Sequence, residues 1–166
     1  MTLMDAPGFN EAAERRKRVI LWSSVSAFTA AVIILWIVAG FPIDWPWNWW
    51  AHMRGRAVIN TFLDDVQKND LASAYAVWMH DPHWQQHQNP NDPYTFARFQ
   101  QDWSSSSPDN EYGAIKSHDI AAARMNGNVL VVGVWINGLK SKPLFLAYDP
   151  HTKTLTFSPV ELYLGP

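Results

Sequence analysis

Cysteine is absent from this chain of 166 residues. Disulfides, thiolate metal sites, a cysteine nucleophile and acylation of a lipoprotein cysteine are excluded with it. Charge is missing from one long stretch: Val19 to Gly40, VILWSSVSAFTAAVIILWIVAG, has 22 residues and no Asp, Glu, Lys or Arg. Basic clusters are missing outside the N-terminal tail. The total charge of −2, less the +1 of residues 1–18, leaves −3 for residues 44–166, which gives nucleic acid no footing as a partner. Walker-type loops, serine elbows, paired zinc motifs and dinucleotide fingerprints are absent too. No cofactor is expected and no catalytic residue is assigned.

The uncharged run is what the rest of the chain is arranged around. As a helix it would rise roughly 33 Å, enough for the hydrocarbon core of a bilayer. Its hydroxyls, Ser23, Ser24, Ser26 and Thr29, can bond back to their own backbone. Before it stand Arg15, Arg16, Lys17 and Arg18, and after it only Arg54 and Arg56. Basic residues are retained in the cytoplasm, so the bias places the N-terminus inside and residues 44–166 outside. A cleaved signal peptide is the competing reading, with Val38-Ala39-Gly40 as the cleavage site. Its apolar region would be about 7–15 residues, shorter than this one.

Tryptophan marks the borders. Trp22 lies near the inner end and Trp36 near the outer end, followed by Phe41-Pro42-Ile43-Asp44-Trp45-Pro46-Trp47-Asn48-Trp49-Trp50. Indoles favour the headgroup layer, where the ring is in apolar surroundings and the N–H stays wet. Residues 41–50 therefore read as an aromatic collar on the outer leaflet. The alternative is a linker whose tryptophans pack on the folded domain.

Beyond the collar the helical period predicts three helices. Ile59, Phe62, Leu63 and Val66 make an apolar stripe within His52 to Lys68; Leu71, Ala74, Tyr75 and Trp78 make a second within Leu71 to Met79, with Asp70 as cap. Asp92-Pro93 opens the third, carrying Tyr94, Phe96, Phe99 and Trp103. From Tyr112 the period becomes extended. Strands are expected over Ile115 to Arg124, Val129 to Ile136, Pro143 to Tyr148 and Thr154 to Phe157, with a further short one near Leu162. Turns at Asn126-Gly127, Asn137-Gly138 and Asp149-Pro150 join them. Helices first and an antiparallel meander second argue α+β.

The order of elements, with Phe62, then Asn69-Asp70, then Ala74-Tyr75, resembles the nuclear transport factor 2-like superfamily, the cystatin-like α+β cone. The likeness covers roughly residues 51–163. It implies three helices on a curved four-stranded antiparallel sheet, a pocket between them, and dimerisation through the open sheet face. The expected parts are a cytoplasmic tail (1–18), a transmembrane helix (19–41), an interfacial linker (42–50) and a nuclear transport factor 2-like domain outside the cytoplasm (51–166).

Three constellations bear on function. His80, His83 and His87 have the residue types of an open zinc or copper site, but they fall in a Pro-containing loop, where solvated imidazoles are the usual finding. Tyr75, Tyr94, Tyr112, Asp102 and Asp119 supply the residue types of a carboxylate base with oxyanion donors, although no motif assigns those roles. Phe62, Tyr75, Trp78, Phe96, Phe99 and Trp103 line either a core or an apolar pocket. Three functions follow: a membrane-anchored scaffold pairing with itself or with other membrane-complex proteins through the sheet face around Trp135; a carrier of an apolar small molecule or lipid; or an isomerase- or hydratase-type enzyme. Tail, one span and a cone domain resemble the layout of the scaffold subunit of type IV secretion systems.

Overall fold

Glu11–Val38 forms one helix, α1, with no buried residue. The computed structural model describes residues 10–89 and 92–164, and the chain divides into two compact units, residues 1–38 and 39–166. Asn10 caps α1 by accepting the N–H of Ala13 at 3.1 Å. The Ser23 and Thr29 hydroxyls donate to the carbonyls of Ile20 and Val25, both at 2.9 Å, which settles two polar groups inside an apolar surface. The helix is long and apolar enough to cross a membrane. It ends three residues before the expected 41, because Gly40 takes a left-handed φ of 82°, a conformation glycine adopts without steric cost.

The second unit is α+β. Its helical part has more pieces than the three helices expected: besides α2 (Trp49–Gln67), α3 (Leu71–Met79) and α4 (Phe96–Trp103), single 3₁₀ turns stand before α2 at Pro46–Asn48 and between α3 and α4 at Trp84–Gln86. Trp49 and Trp50, expected in the interfacial linker, belong to α2. Asp70 caps α3 by accepting the Ser73 N–H. At α4 the cap is Thr95, whose hydroxyl accepts from Arg98 N, rather than Asp92. Tyr94 therefore stands outside the helix.

Four strands, β1 (His118–Asn126), β2 (Val129–Ile136), β3 (Leu139–Tyr148) and β4 (Leu155–Phe157), pair antiparallel in sequence order. Residues 158–164, where a further strand was expected, form none. Asn137 and Gly138 both have positive φ, as a type I′ hairpin requires. At the first hairpin Asn126 pairs with Val129, so the turn is Gly127-Asn128, one residue later than expected. Gly127 is the one with positive φ, the arrangement of a type II′ turn. Val134 pairs with Leu144 while Ile136 pairs with Leu139, leaving residues 140–143 opposite Trp135 alone. Pro143 is tolerated there because the ladder is already interrupted.

Leu130, Val132, Val134 and Ile136 face the helices and are wholly buried. Helix α2 crosses the sheet at Gly55. A Cβ there would meet Leu130 Cδ2 at 2.5 Å and Tyr148 Cδ1 at 2.9 Å, and both of those side chains are fully enclosed. Gly→Ala inside an exposed helix gains about 0.5–1 kcal/mol. Here overpacking reverses the sign, so Gly55→Ala is expected to destabilise by roughly 1–3 kcal/mol, read as a lower urea midpoint with an unchanged slope.

Candidate functional site

Alternation shapes the start of the collar, and the 3₁₀ turn at Pro46–Asn48 shapes the rest. Pro42 and Asp44 point inward, while Ile43, Trp45 and Trp47 are 90, 68 and 72 % exposed. Trp50, in the first turn of α2, is 59 % exposed. Trp45 and Trp47 stack face to face with centroids 5.0 Å apart and planes 4° from parallel. The Arg54 guanidinium lies 4.5 Å over the Trp50 ring, close enough for cation–π attraction. Trp49 departs from the group, being half-buried with its indole N–H donated to the Asp44 carbonyl at 3.2 Å.

Asp44 is the fastening. Its Oδ2 lies 2.7 Å from Nε2 of His52, which is 1 % exposed, and accepts the backbone N–H of Met125 at 3.1 Å. Met125 is at the end of β1, an outer strand of the sheet, so the carboxylate also covers part of an open edge. No sequence motif announces this contact.

The aromatic candidates separate. Phe62, Trp78, Phe99 and Trp103 are at most 3 % exposed and pack on one another. Phe62 meets Trp103 edge-on at 4.8 Å and Trp78 at 5.3 Å, and Phe157 of β4 stacks on Trp103 at 5.8 Å. These four are core. Tyr75 and Phe96 instead join Trp84 in the wall of a cleft of about 740 Å³ between α3 and α4, with Asp81, His87 and Asp92 also lining it.

The catalytic candidates are occupied. Tyr94 donates its hydroxyl to Asp102 at 2.9 Å and accepts from the Trp103 indole at 3.2 Å. Asp102 is bound on its other oxygen by Arg98 at 3.1 Å. Burial first, and then the bond to Asp102, push the Tyr94 hydroxyl well above the ordinary tyrosine value. Tyr75 donates to the Tyr94 carbonyl and Tyr112 to the Pro143 carbonyl; burial raises both hydroxyls. The three tyrosines hold elements together and stay protonated at neutral pH. Asp119 lies exposed on β1.

His80, His83 and His87 do not converge. His80 ends α3 in a left-handed conformation, and His87 Nδ1 lies 2.6 Å from Asp81 Oδ2. Among the described residues no group of three His, Asp or Glu side chains is arranged to hold a metal. On the outer face of the sheet, Trp135 is half-buried and the Lys140 ammonium lies 4.8 Å from its ring. A Cβ on neighbouring Gly133 would meet Leu164 at 2.8 Å, so the C-terminal segment already lies over the middle of that face.

Asp44→Ala leaves His52 and the Met125 N–H without their acceptor and is expected to cost about 2–3 kcal/mol. Asp44→Asn, which keeps an acceptor oxygen, should cost less in the same urea titration. Three aspartates, together with Glu111 beside Lys142, set an acid limb. Asp70 is held below its ordinary value of 3.8 mainly by the Ser73 N–H, Asp81 by His87 and Asp149 by the His151 N–H. A lowered folded-state value gives stability that is present above the unfolded value and lost as pH falls through the folded one. The melting temperature should therefore drop below about pH 4, and Asp81→Asn should shallow that drop.

Compared with known proteins, the chain matches no protein-family model, no curated protein and no solved structure.

Proposed function

We propose that this chain is a membrane-anchored interaction or scaffold module without a catalytic site. On this reading α1 spans a bacterial-type inner membrane and residues 1–18 are cytoplasmic. The outer unit is then a periplasmic, nuclear transport factor 2-like domain. The observation that carries it is the filled interior. Where a ligand-binding cone would keep space between helices and sheet, Phe62, Trp78, Phe99 and Trp103 pack ring to ring with Phe157. What such a domain offers others is its surface. The basic cluster Arg15 to Arg18 supports the orientation. Arg54 and Arg56 weigh less against it, because both pack within the folded unit, one on Trp50 and the other against Gly40.

A second reading keeps one specific observation. The cleft walled by Tyr75, Trp84 and Phe96 has the volume of a small-molecule site and offers an apolar ligand an aromatic wall beside the polar groups of Asp81, His87 and Asp92. Native mass spectrometry of the full-length chain, gently extracted in detergent, separates the two. Peaks at multiples of the chain mass, or with a second protein attached, are expected. For pairing through the sheet face, Trp135→Asp should lower the multiple while leaving the circular dichroism spectrum intact. A monomer carrying a discrete small-molecule mass would instead transfer support to the cleft.

A further inference from the structure

Four large apolar side chains, Ile43, Trp45, Trp47 and Trp50, stand between 59 and 90 % exposed within eight residues. Patches of this kind on soluble surfaces mark interaction sites. We infer that this patch is a lipid-docking surface of the outer unit in its own right, which enters the headgroup layer of a bilayer and fixes how the unit sits on it. The inference rests on the reading of α1 as a span.

The geometry favours a built surface over a slack linker. Over residues 42–45 the chain alternates, Pro42 and Asp44 inward and Ile43 and Trp45 outward, and the 3₁₀ turn at Pro46–Asn48 then presents Trp47. The inward carboxylate is bound at two points, His52 and the Met125 N–H. The Trp49 indole adds a third tie, to the Asp44 carbonyl. The stack of Trp45 on Trp47 turns two indoles into one flat slab. The side chains therefore do not have to be ordered on docking, which removes an entropic cost of binding.

Chain connectivity chooses the occupant. Ile43 follows the last residue of α1 by five residues, a reach of at most about 18 Å, so a helix that ends at a bilayer surface delivers the patch to that surface. Indoles partition there by preference. Arg54, over the Trp50 ring, adds a guanidinium that matches the phosphate of a lipid headgroup.

The test uses residues 39–166 without α1. This unit holds its own core, made of residues 59–155, and α1 contributes no buried residue. Vesicles of phosphatidylcholine mixed with phosphatidylglycerol are the probe, in a flotation assay. The unit is expected to float with them, with a blue-shifted tryptophan emission quenched by lipids brominated near the headgroup. Replacing Trp45, Trp47 and Trp50 together by serine should weaken partitioning roughly tenfold or more, at an unchanged circular dichroism spectrum. Ile43→Glu, which leaves every ring in place, should weaken it in the same direction. A wild-type unit that stays with the aqueous fraction, while the full chain resists carbonate extraction, overturns the docking inference and leaves the span standing. A full chain released by carbonate overturns the span and the inference with it. A unit that is dimeric without lipid, and monomeric once the three tryptophans are replaced, assigns the patch to a second copy instead.

Discussion

One carboxylate oxygen holds together three parts of the second unit: the tryptophan-rich segment, the start of α2 and the end of β1. Asp44 Oδ2 meets the buried imidazole of His52 at the start of α2 and the N–H of Met125 at the end of β1. A buried polar group without a partner costs about 1–3 kcal/mol, so neither group is stable where it lies unless Asp44 comes in. Bringing Asp44 in fixes the extended segment around it with Ile43 and Trp45 facing outward, and the 3₁₀ turn that follows adds Trp47. The exposed slab of tryptophans is therefore a by-product of satisfying an interior histidine and an edge amide.

The interior shows the same economy with a different material. Aromatic side chains bury large areas and gain further from edge-to-face contact, and here rings from α2, α3, α4 and β4 meet around Phe62, Trp78, Trp103 and Phe157. Polar tips that would be orphaned in such a core are satisfied in sequence: Tyr75 on the Tyr94 carbonyl, Tyr94 on Asp102, Trp103 on Tyr94. The residue types that suggest acid–base chemistry in the sequence are, in place, the hydrogen-bonded fasteners of a packed interior.

Periodicity was enough to find three helices and four strands, though it also suggested a strand near Leu162 that does not form. The stripe Ile59, Phe62, Leu63, Val66 is buried throughout, as are Ala74, Tyr75 and Trp78, because one apolar face per helix is a local property of the sequence. Boundaries were harder. Asp92 and Thr95 are both good caps, and which one starts α4 depends on where the chain must leave the loop. Asn126 and Gly127 suit a turn in either register, and the register is set by pairing across β1 and β2. Two features were illegible for a deeper reason. Gly55 looks like a weak point in a helix until the approach of Leu130 and Tyr148 is known. Asp44 looks like a solvated linker residue until its partners are found, one of them on the far side of the chain. Of the candidate site, the tryptophans could be counted from the sequence, but which of them faced out could not.

The hydrogen bond from Met125 to Asp44 closes a loop of 81 residues, whereas each strand of the sheet pairs with its neighbour in sequence. The entropic cost of closure grows with the logarithm of loop length, about 4 kcal/mol in its length-dependent part here. Hairpins have no such delay. During synthesis Asp44 and His52 are made long before β1, and they must wait for it. A nascent or truncated chain that stops short of Met125 keeps the collar but has nothing to fasten it to β1. The contact that orients the tryptophans is then among the late ones to form.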